Sequence, residues 1–308
     1  MQSPLARVIL CVLSGYILIL LVMSAHDWIE REYPSPSNAP RNTARIQHPF
    51  HHKQAKMALK RFLELPQSER DKVKANLTEN LLTMEQWLRK LDQADPSVIC
   101  LGELHEETTR NFLAQSFFGK YSADVLMLEA SGETLGGIMN RMNAGRRYFP
   151  LLEADILNVI RSAMARNPEM VIYGIEETRR QEKEQRGQSG SRDRSIARNF
   201  WHVYQPGQRH VILFGALHCA CVANWLYDNL RSQAPISLRE RMLNVRVLGE
   251  HQNGPLEAFV FFLDEIGIVT KTFVIPDTAA MPPLVGELFQ ALARDSFNTF
   301  HTLVVFRS

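Results

Sequence analysis

The hydrophobic pattern divides the chain into an apolar leader, a spacer and a long region of alternating periods. Val8 to Ala25 is an uncharged run of 18 residues, preceded by Arg7 and followed by Asp27, Glu30 and Glu32. As a helix it spans about 27 Å, close to the thickness of a bilayer core. The charge bias places the N-terminus in the cytoplasm and the rest of the chain outside. Residues 1–27 therefore read as a membrane anchor. The alternative is a signal peptide cut near Met23-Ser24-Ala25. Residues 28–52 form a spacer stiffened by Pro34, Pro36 and Pro40 and closed by His48, His51 and His52. Those histidines lack accompanying ligands and read as solvated.

From residue 53 apolar positions recur at helical spacing. They predict helices over 53–65 and 67–94, separated by Pro66 and stopped by Asp95-Pro96. The period then changes. Val98-Ile99-Cys100-Leu101, Val125 to Leu128, Met170 to Tyr173 and Val211 to Phe214 are short unalternated runs. Helical stretches lie between them at 106–118, 135–147, 151–166 and 195–203. Strands of this kind are buried on both faces, so the pattern predicts an α/β fold: a mostly parallel or mixed sheet with helices on both faces. The Arg-, Glu- and Gln-rich segment 179–194 reads as a mobile loop or lid. A helix over 219–232 follows, then strands at 245–248, 258–263, 272–275 and 303–306. Residues 53–308 thus form a single domain that opens with a helical pair.

Composition narrows the function. Lys+Arg total 35 and Asp+Glu 33, giving a net charge of +2, so no basic surface calls for nucleic acid. Four cysteines in 308 residues, with no C-x-x-C, exclude a disulfide-framework fold and a zinc ribbon. No G-x-S-x-G, Walker loop or G-x-G-x-x-G occurs, which sets aside serine hydrolases, nucleotide hydrolases and dinucleotide oxidoreductases. His105-Glu106-Glu107 begins like H-E-x-x-H but lacks the second His.

The chemistry concentrates in an internal echo. Residues 98–105 and 211–218 match at five of eight positions, each a strand followed by Gly-x-x-His and then a helix. Each His follows a strand at the carboxyl edge, where open α/β sheets bind ligands. Glu103, Glu129 and the pair Glu176-Glu177 reach the same edge from their own strand ends. Imidazole with carboxylate suits Mn, Co, Zn or Fe, and two His plus one carboxylate can activate water for hydrolysis. Glu106, Glu107 and Glu177 read as acids in helix first turns. Cys219 and Cys221 read as small buried residues at a helix start, with a soft metal pair as the alternative, and Cys100 as a core thiol.

At these residues the chain resembles the Tiki/TraB superfamily, which includes ChaN-like haem-binding proteins, erythromycin-esterase-like hydrolases and a domain of some large bacterial toxins. The resemblance spans about residues 97–308. It rests on Gly102-Glu103-Leu104-His105, Glu129, Gly215-Ala216-Leu217-His218, and Arg192-Asp193 followed by Ile196-Ala197. It implies an α/β fold built from two related halves, with a site shared by both Gly-x-x-His motifs. Tiki members are metal-dependent proteases, esterase-like members activate water with His and Glu, and ChaN-like members bind haem. The charged loop before Arg192, and Ile196 where Met is expected, depart from the pattern.

The reading that results is a membrane-anchored, metal-dependent hydrolase of peptide, ester or other small-molecule substrates, held in a bacterial-type membrane through residues 8–25 with its domain on the extracytoplasmic side. His105, Glu129 and His218 hold the metal or act as general base. Arg192 stabilises an oxyanion or grips a substrate carboxylate, and Glu103 assists. The alternatives are a haem-binding protein with His105 or His218 as axial ligand, and a toxin-like domain with a vestigial site.

Overall fold

The computed structural model describes residues 49–132, 151–184, 188, 190–250, 254–268, 271–278 and 299–307. The expected anchor at 8–25, most of the spacer and the expected helix 135–147 lie outside the described residues. Among those residues no helix is long and apolar enough to cross a membrane.

The helical opening differs in detail from the sequence reading. Helix α1 starts at Pro49 and runs to Glu64, so residues 49–52 belong to it and not to the spacer. Proline fits a helix's first turn because its missing N–H has no partner there anyway. The expected helix 67–94 is two, α2 (Gln67–Asn80) and α3 (Met84–Ala94). Between them Leu82 pairs with Val274 through both backbone groups. Thr83 then restarts the helix with a capping box: its hydroxyl accepts from the Gln86 N–H, and the Gln86 side chain accepts from the Thr83 N–H.

Among the described residues seven strands form one sheet in the order β3-β2-β4-β1-β5-β7-β6. They are β1 (Val98–Glu103), β2 (Val125–Leu128), β3 (Val171–Gly174), β4 (His210–Gly215), β5 (Met242–Gly249), β6 (Thr272–Ile275) and β7 (Thr302–Phe306). All neighbours are parallel except β6 against β7, so the sheet is mixed, as the sequence predicts. Helix α4 (Glu107–Leu113) continues into a π-helical turn, Ala114–Phe118. The remaining helices are α5 (Leu151–Arg166), α6 (Arg179–Glu184), α7 (Ser191–Val203), α8 (Ala216–Cys219), α9 (Leu226–Gln233), α10 (Ile236–Arg239) and α11 (Gly254–Glu265).

Strand alternation explains the layers. Ile99, Leu101, Leu126, Leu128, Val211 and Leu213 face one side and pack with α3, α4 and α5. Val98, Cys100, Val125, Met127, Ile212 and Phe214 face the other and pack with α7 and α9. Over β5, β7 and β6, α11 fills that second side with Leu256, Phe259, Phe262 and Leu263, backed by Phe62 of α1 and Leu77 of α2.

Three expectations are corrected here. The run 258–263 is helix, not strand: it lies within α11, whose residues Leu256 to Leu263 are buried on nearly every side, so an unbroken apolar run suits it as well as a strand. Segment 179–194 is not a plain loop, since it holds α6 and the first turn of α7. The expected helix 219–232 is split, with α8 ending at Cys219 and α9 beginning at Leu226.

Candidate active site

Strands β1 and β4 lie side by side, and the ladder pairs Glu103 with Gly215. The two Gly-x-x-His segments therefore leave one edge of the sheet as neighbours. Glu129 follows β2, the strand on the other side of β4. Arg192 and Asp193 lie in the first turn of α7, and Glu176 follows β3.

Glu129 is the centre of the cluster. Its Oε2 accepts from the Gly215 backbone N–H at 2.7 Å and lies 3.2 Å from His105 Nε2. Its Oε1 accepts from Arg192 Nη2 at 2.7 Å and lies 3.9 Å from His218 Nε2. Arg192 also donates to both oxygens of Glu176, through Nε at 3.0 Å and Nη2 at 2.7 Å. Burial pushes the Glu129 carboxyl up, but His105, the Gly215 N–H and the Arg192 guanidinium outweigh it and hold the group at about 2.

The two histidines meet different partners. His218 Nδ1 lies 2.5 Å from Asp193, and its Nε2 lies 3.0 Å from Arg192 Nη1. A guanidinium only donates, so Nε2 accepts and the ring proton sits on Nδ1, facing Asp193. His105 is flanked by two carboxylates. Hydrogen bonds to Glu103 and then Glu129 outweigh burial and raise it to about 9, which favours the cation at neutral pH. Its Nδ1 stands 3.1 Å from Glu103 Oε1 and 2.9 Å from Arg110 Nη2. That nitrogen thus has an acceptor beside it when protonated and a donor when not.

Below the ring lies a buried ionic layer. Glu103 is 2% exposed and reaches the open edge only through its contact with His105. Arg110 of α4 donates to Glu103 through Nε at 2.8 Å and to Asp155 of α5 through Nη1 at 3.1 Å. Buried carboxylates need such partners to remain charged.

The structure brings together His105, Glu129, His218 and Arg192, with Glu103 beneath. Sequence reasoning gave no role to Asp193, Arg110 or Asp155, whose pairings cross 25 and 45 positions of chain for His218–Asp193 and Arg110–Asp155. It placed Glu176 at this edge without seeing its grip on Arg192.

Among the described residues no group of three or more His, Cys, Asp or Glu is placed to hold a metal ion. A guanidinium stands between Glu129, Glu176 and His218, and His105 lies between Glu103 and Glu129. The Nε2 atoms of both histidines have partners, Arg192 at His218 and Glu129 at His105. The cysteines are corrected too. Cys100 and Cys219 form a disulfide with Cα atoms 5.5 Å apart, so neither is a free core thiol or a soft ligand. Cys221, expected to be buried, is exposed and free.

No family model matches the chain, and no curated protein matches it. Among solved structures it is similar to RRSP, a MARTX toxin effector domain from Vibrio vulnificus CMCP6, at 14% identity and a TM-score of 0.35 over 66% of this chain and 45% of that one. Two structures described as bacterial protein toxins match at 14% and 15% identity, with TM-scores of 0.34 and 0.35 over 66% and 65% of this chain. The chain spans less than half the length of each of these structures.

Proposed function

We propose that the carboxyl-edge cluster is a hydrolytic active site that activates water by paired acid–base histidines, acting on an ester or peptide bond. The observation that carries this reading is the Glu129 carboxylate, which ties the ends of β1 and β4 and the start of α7 into one network. Two histidines whose partners differ, one flanked by carboxylates and one facing a guanidinium, can divide the roles of acid and base. His218, with its proton on Nδ1 against Asp193, keeps an Nε2 lone pair and serves as the base. His105, protonated at neutral pH, serves as the acid.

A substrate carbonyl oxygen taking over the Arg192 Nη1 donor frees His218 Nε2 to accept a proton from water. The same donor then faces the oxyanion as it develops. His105 delivers its Nε2 proton to the leaving group, and Glu103 accepts from the Nδ1–H that the neutral ring retains. Glu129 keeps these groups in register. No step requires a metal.

The resemblance in the two Gly-x-x-His motifs supports this reading, and so does the idea of two related halves, since the echoed segments lie on adjacent strands offset by one residue in the ladder. The Cys100–Cys219 disulfide supports the extracytoplasmic placement, because cytosolic thiols are kept reduced. Residues 8–25 would supply the anchor.

The test is turnover of a panel of peptides, esters and lactones by the wild type and by His218→Ala. At least one member is expected to be hydrolysed, with kcat reduced about 100-fold or more in the variant. Equal turnover by the two proteins refutes the assignment.

A further inference from the structure

The base proposed above sits on an unusually small support. Helix α8 is one turn of four residues, Ala216–Cys219, and His218 is its third. A single turn does not hold itself, since nucleating a helix costs more than its first hydrogen bond returns. Leu217 is 59% exposed, so packing on that side does not fix it. Through its ring His218 meets Asp193 and Arg192 of α7, lies 3.9 Å from Glu129, and stands edge-on to Phe214 at 5.8 Å. What fixes the backbone of α8 is on its other side.

Cys219 adjoins His218 and is bonded to Cys100, which lies in β1 between the sheet core and Gly102. The fit is close: a Cβ on Gly102 would stand 2.9 Å from Ala216 Cα and 3.1 Å from Cys219 Cβ. Asn244 of β5, fully buried, donates to the Cys219 carbonyl at 2.8 Å and to the Thr299 carbonyl at 2.6 Å, while its Oδ1 accepts from the His301 backbone at 2.9 Å. The Cys221 N–H reaches the same Thr299 carbonyl at 2.8 Å. The strand that carries Glu103 toward His105 is thus covalently tied to the turn that carries His218.

We propose that the Cys100–Cys219 disulfide, assisted by Asn244, is the positioning device for His218, so that the site is competent only when this bond is formed. The proposal rests on the reading of His218 as the base, but its structural content is separable. Breaking the bond leaves the ring held by Asp193, Arg192 and Glu129, and the backbone beneath it tied to β5 through Asn244 but no longer to β1. Misplacement of a reacting group by about 1 Å costs on the order of 100-fold in rate.

The experiment uses the full chain. Thiol titration under denaturing, non-reducing conditions is expected to find two of the four cysteines free; four free thiols overturn the proposal. Ring ¹H–¹⁵N spectra, with the His218 signals assigned through His218→Asn, then report the Nδ1–H tautomer. They are recorded for the oxidised protein, for the protein reduced with dithiothreitol, and for Cys100→Ala/Cys219→Ala. On reduction and in the double variant, His218 is expected to leave the pure Nδ1–H form while His210, at the start of β4, is unchanged. An unchanged His218 overturns the proposal. So does joint loss of both signals on reduction, which makes the bond a staple of the whole sheet. If the double variant does not fold, the reduced wild type decides. With p-nitrophenyl acetate as probe, kcat is expected to fall about 100-fold on reduction with KM little changed. Should His218→Ala leave hydrolysis untouched, the catalytic reading fails while the tautomer result still judges the tether.

Discussion

Glu129→Gln keeps the side chain's size and removes the charge on which His105, Arg192 and the Gly215 N–H converge. A carboxyl held at about 2 against an ordinary 4.5 corresponds to about 3 kcal/mol of preference for the folded state once ionised. The side chain is only 18% exposed, so solvent screening removes a minor part of that. Glutamine retains one acceptor oxygen, but its amide must turn an N–H toward either Gly215 or Arg192, both donors. A loss of about 2–3 kcal/mol is therefore expected near neutral pH.

Its pH dependence follows from two signs. The Glu129 contribution is complete above about 4.5 and is lost as pH falls through about 2. The His105 contribution is complete below about 6.5 and is lost as pH rises through about 9. The gap between wild type and variant should be widest from about pH 4.5 to 6.5 and should narrow above pH 9. Guanidinium unfolding at pH 5.5, 7.5 and 9.5 measures it, and the His105 ring signal gives a direct titration. In the variant that titration should fall from about 9 toward, but not to, 6.5, because Glu103 remains. A pH-independent gap, or a His105 that still titrates near 9, would refute the coupling.

Two further substitutions probe the same geometry. Gly215→Ala puts a Cβ 2.9 Å from His105 Nε2 and 3.5 Å from Glu129 Oε2. It should displace the ring and lower turnover at least about tenfold with less than about 1 kcal/mol lost in denaturant unfolding; wild-type turnover would show that the ring need not sit there. Arg192→Lys keeps a charge but loses the planar grip on Glu176, Glu129 and His218 together. A roughly 100-fold fall in kcat is expected in steady-state assays, and a fall confined to KM would assign Arg192 to binding alone.

The pattern of success and failure along the chain has physical causes. The runs at 98, 125 and 211 were legible because strands buried on both faces need unbroken apolar stretches, the run at 170 proved a partly exposed edge strand, and Gly-x-x-His after two of them pointed to a shared edge. The same rule misled at 258–263, since a helix pressed between the sheet and α1 is apolar all round. The charged segment 179–194 looked unstructured because solvated helices use the same Arg, Glu and Gln that loops do. Glu103 was legible as a carboxylate at the edge, but not its burial, which depends on Arg110 arriving from the next helix. The Cys100–Cys219 bond joins residues 119 positions apart, and nothing in local sequence selects that pairing over one with Cys11 or Cys221.

The claim at the centre is that His105 and His218 belong to one site with Glu129 between them. A cycle of His105→Ala, His218→Ala and the double variant on a substrate found in the panel tests it most directly. Groups that act as a unit lose nearly everything with the first removal, so the three variants should show similar residual kcat/KM. Losses that multiply, with the double variant lower than either single variant by the full product, would mean the histidines serve separate roles, and the single-site mechanism would fall.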